Sequence, residues 1–184
     1  MSFLGGNKMD LRIVQRDITD FSGDAIVNAA DSSLLGGGGV DGAIHRAAGR
    51  GLYEECKTLG GCEAGNAKIT KGYNLKAKYV IHTVAPIYDS NRKEECKKTL
   101  KSCYQKSLEL AKENGCNSIA FPLISAGVYG YPKKEALEVA VEMIEKYGEG
   151  LECLLYLFDI QAYVIASEVC KEFGLKKDAY TWHR

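Results

Sequence analysis

The chain carries no excess charge of either sign: 24 Lys+Arg stand against 24 Asp+Glu in 184 residues. It has no global positive field to gather a polyanion, which argues against a general DNA or RNA binder and leaves room for a local anion site. Its seven cysteines, Cys56, Cys62, Cys96, Cys103, Cys116, Cys153 and Cys170, contain no CxxC pair and no grouping with histidine at zinc-ligand spacing. No metal centre is expected, and scattered free thiols suit a reducing, cytoplasmic compartment. No apolar run approaches the roughly 20 residues needed to cross a membrane. The opening MSFLGGNK is too short and too polar for a signal peptide. The length suits one soluble domain with a sizeable core and is short for two. Residues 1–8 read as a flexible leader or an expression remnant, and residues 9–184 as a single domain.

The densest information lies between Ala25 and Gly49, AIVNAADSSLLGGGGVDGAIHRAAG. An apolar strand, Ala25 to Ala29, runs through a polar corner at Asp31-Ser32-Ser33 into four glycines, Gly36 to Gly39. A helix follows with Val40, Ile44 and Ala47 on one face, and it stops at Gly49, a natural left-handed cap. Strand, glycine loop and helix N-terminus in that order let backbone N–H groups and the helix dipole surround a phosphate. Four adjacent glycines cost conformational entropy and bury nothing, so close approach of the backbone to a ligand explains them better than a connector does. The helix is entered by Gly39-Val40-Asp41, without the lysine that a Walker A loop needs. A dinucleotide fingerprint can be laid on the glycines, but its spacing is degenerate in a glycine run. The helix also sets Asp41 and His45 at i and i+4, a carboxylate and an imidazole on one face beside the phosphate site.

Elsewhere the chain alternates strand and helix patterns. Strands are expected at Leu11 to Gln15, around Ala67, Ile69 and Tyr73 with one wet face, at Tyr79 to Val84, at Ser118 to Leu123 and, last, at Leu151 to Phe158. Helices are expected at Leu52 to Leu59, at Lys93 to Asn114 with Leu100, Tyr104, Leu108 and Ala111 inward, from Pro132 with Leu137, Ala140, Val141 and Ile144 inward, and over Ala162 to Phe173. Buried strands alternating with amphipathic helices indicate an α/β fold with a largely parallel sheet covered on both sides. A second loop, ISAGVYGYP from Ile124 to Pro132, follows a strand, so it and the Gly36 loop can face one crevice at the carboxyl ends of the strands. His82, alone in a strand, reads as a hydrogen-bonded core residue. The bland reading of Asp17, the lesser of its two, is a turn residue capping its own backbone.

The Ala25 to Gly49 stretch closely resembles the macrodomain family, in particular its MacroD-type branch of ADP-ribose hydrolases, whose signature is an Asn-Ala-Ala-Asn corner, a GGGGVDG loop and an IHRAAG helix. The likeness runs from about Leu11 to Leu175 and implies a three-layer α/β/α fold with a central, mostly parallel mixed sheet. It also implies a cleft for ADP-ribose. Asp17 would accept from the adenine amino group and Ile18 would offer a backbone N–H, with Arg16 standing where the family has glycine. Asn28, Gly37, Gly38, Gly39 and Val40 would line the phosphates and the distal ribose. Ser125, Ala126, Gly127, Val128 and Tyr129 would form the second wall, Ala126 replacing a threonine of many relatives. Phe158 would stack on adenine or its ribose, although the residue alone reads equally as ordinary core.

The activity implied is hydrolysis of O-acetyl-ADP-ribose and of esters joining ADP-ribose to acidic side chains of mono-ADP-ribosylated proteins, by a monomer and without metal or redox cofactor. Asp41 would orient or deprotonate a water, and His45 would position Asp41 or tune its charge; the alternative for His45 is a surface imidazole near a helix end, and Arg46 is taken as surface. One position departs from the signature. Asp31 stands where the family has asparagine, so an acceptor replaces a group that both donates and accepts, and two carboxylates near a pyrophosphate should raise one pKa. Weakened hydrolysis with binding kept, weakened binding, and turnover through a proton-sharing pair all stay open. A non-catalytic ADP-ribose reader is the first rival; a regulatory or RNA-associated protein is the second, and the neutral charge weighs against it.

Overall fold

A computed structural model describes residues 9–184. The leader expected over residues 1–8 lies outside the described residues. Eight strands form one sheet in the order β3-β4-β2-β5-β6-β1-β8-β7. They are β1 Asp10–Val14, β2 Ala25–Ala30, β3 Ala67–Lys71, β4 Tyr79–Val84, β5 Ser118–Phe121, β6 Glu152–Tyr156, β7 Lys176–Asp178 and β8 Thr181–His183. The five central strands, β4-β2-β5-β6-β1, are mutually parallel, while β3 and β8 pair antiparallel with their inner neighbours. The helices are α1 Gly39–Ala48, α2 Arg50–Thr58, α3 Lys93–Glu113, α4 Lys133–Tyr147 and α5 Ile160–Glu172. Among the described residues no helix is long and apolar enough to cross a membrane.

The period of two divides the core. Ala25 and Val27 of β2 face one way and join Leu100, Tyr104 and Leu108 of α3 and Leu137, Val141 and Ile144 of α4. Ile26 and Ala30 face the other way and meet Ile44 and Ala48 of α1 and Leu52 and Cys56 of α2. The result is the three-layer α/β/α arrangement expected. Each fully buried Leu or Ile adds roughly 1.5–3 kcal/mol, so the inward rows of α3 and α4 set how those helices seat on the sheet.

Three expectations change. The strand at Leu151 is not the last, because residues 176–183 return as the β7–β8 hairpin, which brings Trp182 opposite Leu11 of β1. On α1 the buried row is Asp41, Ile44 and Ala48, at i, i+3 and i+7, whereas Ala47 is exposed. On β3 the buried side chain is Thr70, and Tyr73 lies beyond the strand end at positive φ with its ring largely exposed. Gly49 has the positive φ expected of a helix stop, 84°, but an extended ψ of −176°, and it closes α1 and opens α2 at once.

Candidate active site

All four segments singled out for ligand contact lie at the carboxyl ends of adjacent parallel strands. The glycine loop follows β2, the 124–132 loop follows β5, Phe158 follows β6 and Asp17 follows β1. With neighbouring strands about 4.8 Å apart, they span roughly 14 Å along one edge. A long, thin ligand fits that row better than a compact one.

The β2 end is the most elaborated. Asp31 turns the chain: its Oδ1 accepts from the Ser33 N–H at 2.8 Å and from the Ser33 hydroxyl, and the Leu34 N–H returns to the Asp31 carbonyl at 3.1 Å. Leu34, fully buried, anchors the loop in the α1/α2 layer. Gly42 in the first turn of α1 must be glycine, because a Cβ there would come within 2.5 Å of the Gly37 carbonyl oxygen. At Gly38, Gly39 and Gly127 a Cβ would meet nothing within 4 Å, which leaves the cleft side of both loops open.

Asp41 is 4 % exposed. Its Oδ1 accepts from Asn28 Nδ2 at 2.8 Å, and His45 Nε2 lies 3.4 Å from the same oxygen without hydrogen-bonding geometry and has no hydrogen-bond partner. Its Oδ2 points to the loop, where a methyl group on Gly37 would stand 3.2 Å from it and 3.6 Å from Asp31 Oδ2. The two carboxylates therefore close on one point. Burial pushes the Asp41 carboxyl above its ordinary pKa; the Asn28 hydrogen bond and then the His45 charge pull it back, and Asp31 adds a smaller push upward. The raised value foreseen for a carboxylate pair is present, but desolvation is its main cause.

Asn28, expected against the ligand, is fully buried beneath α1, and its amide bonds Asp41 and, at 3.1 Å, His82 Nδ1. His45 is not the surface residue of the alternative reading, as its side chain is 12 % exposed; Arg46 is exposed as expected. His82 is a hydrogen-bonded core residue as read, with Nε2 3.0 Å from Thr70 Oγ1, and burial and the His45 charge lower its pKa to about 3. What sequence reasoning missed is its partnership with Asn28 and Thr70. The period of two puts Asn28 on the face of Ile26 and Ala30, but the Asn28↔His82 register belongs to the β2–β4 pairing.

The β5 loop is tied from behind: Ser125 Oγ donates to the Pro86 carbonyl at 2.7 Å, and the Tyr88 N–H donates to the Tyr129 carbonyl at 2.9 Å. Ser125 is thereby buried, at φ 71°, with its side chain turned away from the open face of the loop. Ala126 and Tyr129 rest partly on the core, while Val128 is 98 % exposed at the loop tip. At the far end Phe158 is 82 % exposed, which removes the reading of an ordinary core ring. Asp17 caps the turn Ile18–Asp20, with Oδ1 accepting from the Thr19 N–H at 2.9 Å and the Thr19 hydroxyl at 2.8 Å. Ile18 is buried behind it.

Among the described residues His45, Cys56 and His82 bring one ligand atom each within 4.8 Å of one another. The donor set does not suit a resident cation. His82 Nδ1 accepts from Asn28 and Nε2 carries the proton toward Thr70, so neither nitrogen has a free lone pair.

The model of the family described as Macro domain matches residues 27–140. A Macro domain-containing protein of Methanosarcina mazei is 56% identical over 137 residues, 74% of this chain and 73% of that protein. The ADP-ribose glycohydrolase MACROD2 of Xenopus laevis is 58% identical over 131 residues, 71% of this chain but 31% of that longer protein. A solved Oceanobacillus iheyensis macrodomain with ADP superposes with a TM-score of 0.84 at 38% identity, covering 90% of this chain and 96% of that one; a point mutant of it has been solved with ADPR. The matched residues hold most of β2, the glycine loop, α1, β4 and the β5 loop, and on that agreement of sequence, fold and cleft the chain belongs to the macro domain family.

Proposed function

We propose that this macrodomain binds ADP-ribose and hydrolyses O-acetyl-ADP-ribose and ADP-ribosyl esters on acidic side chains of mono-ADP-ribosylated proteins. Adenine lies between Asp17 and Phe158, the pyrophosphate between the Gly37–Val40 and Ala126–Val128 backbones, and the distal ribose at the Asp31 corner. Asp41 Oδ2, on the open side, takes a proton from a water whose oxygen bonds to the ester carbonyl carbon. The ribose oxygen leaves with that proton, giving a carboxylic acid and ADP-ribose.

The observation that carries this reading is the setting of Asp41: buried, held by Asn28 through Oδ1, with Oδ2 facing the loop beside Asp31 and with burial pushing the carboxyl above its ordinary pKa. A reader alone gains nothing from a carboxyl group set in so dry a place. The names and ligands of the relatives above support the same reading. Seven buried free thiols support a cytoplasmic setting. The two core layers share one continuous sheet, which supports a single macrodomain over residues 9–184.

The test is turnover of O-acetyl-ADP-ribose by this chain, by Asp41→Ala and by Asp31→Asn, with ADP-ribose affinity measured on each. Turnover by the chain and none by Asp41→Ala is expected. An asparagine at position 31 retains Oδ1 for the Ser33 turn and replaces Oδ2 with a donor where the carboxylates meet, so Asp31→Asn should turn over about tenfold faster. Binding without turnover in the unaltered chain, restored by Asp31→Asn, would make it a reader.

A further inference from the structure

We infer that His82 is a positioning residue for Asp41: by accepting from Asn28 through Nδ1 it keeps the Asn28 amide a donor toward the carboxyl in both protonation states of Asp41. This rests on the proposed role of Asp41 and adds a group that touches no substrate.

An amide is nearly symmetric in shape, so only its neighbours decide which end meets which. Asn28 has two acceptors on its nitrogen side, Asp41 Oδ1 at 2.8 Å and His82 Nδ1 at 3.1 Å, and its Oδ1 is buried without a partner. His82 in turn is held in one tautomer. With Nδ1 accepting from Asn28, Nε2 carries the proton and donates to Thr70 Oγ1 at 3.0 Å, with Cys56 Sγ 3.7 Å from the same nitrogen, and the Thr70 hydroxyl donates to the Lys71 carbonyl at 3.1 Å. Asn28, Thr70 and His82 are each at most 2 % exposed, so water does not compete for these bonds. The chain of polarity runs from a backbone carbonyl of β3 through β4 and β2 to the carboxylate on α1.

The consequence concerns the neutral form of Asp41. A protonated carboxyl would be stabilised by an amide turned to present its oxygen. With His82 in place, that turn sets Asn28 Oδ1 against the Nδ1 lone pair and is disfavoured. The neutral acid is thereby denied an acceptor, the ionised form retains its donor, and burial is opposed without a positive charge. The arrangement costs an unpaired buried carbonyl on Asn28. The other titratable groups around the carboxyl are His45 on α1, Asp31 on the corner loop and Cys56 on α2, whose thiol burial pushes up to about 11 and so keeps protonated.

The experiment follows the Asp41 carboxyl through its titration by carbon NMR in the full chain, in His82→Leu and in His82→Asn, alongside the pH profile of ester hydrolysis. In His82→Leu the midpoint should rise by about one pH unit, since a hydrogen bond to a charged group is at stake, and the acid limb of the profile should move with it. ADP-ribose affinity should stay within about twofold, because no ligand contact changes. His82→Asn, whose Oδ1 can stand near the old Nδ1, should return the midpoint toward that of the full chain. A folded His82→Leu with an unmoved midpoint overturns the inference. Should His82→Leu not fold, Thr70→Val, which frees the tautomer, should move the midpoint in the same direction by less, and an unmoved midpoint there overturns it equally. The midpoint is read without turnover, so loss of the hydrolase reading and loss of this inference are separate results.

Discussion

The two ends of the cleft are built on opposite plans. At the β2 end the chemistry-bearing groups lie inside: Asp41, Asn28 and His82 are buried and hydrogen-bonded between the sheet and α1 before any ligand arrives. At the β1/β6 end the groups lie outside: Asp17 is exposed, and Phe158 offers a bare ring to solvent. The contrast follows from what each end must do. A base acts only if its geometry and protonation are set in advance, and that requires a dry, supported site. A flat base can be held by stacking and one hydrogen bond, and those contacts need open faces. On the roles proposed for Asp41, Asp17 and Phe158, catalysis is concentrated at the β2 end and affinity is spread toward the other.

Substitutions at the two ends should therefore separate rate from binding. Asp41→Ala should lower kcat for O-acetyl-ADP-ribose by about 10²–10⁴, the usual contribution of a positioned base, and leave ADP-ribose affinity within about threefold by calorimetry. A parallel loss of affinity would mean that Asp41 serves mainly to hold the ribose. Phe158→Ala should do the reverse, weakening ADP-ribose by about tenfold through lost stacking, with saturated turnover and melting temperature unchanged because the ring leaves little core behind. A fall in melting temperature comparable to a core truncation would put that ring back in the structural layer.

Most of the fold was legible because its helices repeat strongly. Leu100, Tyr104, Leu108 and Ala111 recur at helical spacing, as do Leu137, Ala140, Val141 and Ile144, and all eight are buried as that spacing implies. The β7–β8 hairpin was not legible: strands of three residues carry no period, and Lys176-Lys177-Asp178 reads as polar tail. The glycine loop and the Asp41/His45 pair were visible because four glycines and an i, i+4 spacing are local signals. Asn28 was visible as a residue but not in its role, which depends on a register between β2 and β4 that brings together positions 54 apart. Thr70 was hidden because its face of β3, read as the wet one, is by strand alternation the face that shares the α1/α2 layer with Val80 and His82.

The smallest effect expected is on stability, and its sign follows from burial. A carboxyl whose folded-state pKa is raised favours the protonated form, so its contribution is fully present below the unfolded value of about 3.9 and is lost as pH rises through the raised folded value. Desolvation leads the causes at Asp41, ahead of the opposing Asn28 bond and His45 charge. Asp41→Asn keeps an oxygen for Asn28 Nδ2 and never ionises. At pH 7 it should be more stable than the unaltered chain by about 1 kcal/mol, a gain shrinking toward zero near pH 4, as thermal melts at the two values would read. A variant less stable at pH 7 would mean that Asn28 and His45 together outweigh burial, and that the β2 end is held by its charge rather than in spite of it. Phe158→Ala supplies the control, because nothing titrates at that ring and its melting temperature should match that of the unaltered chain at both pH values.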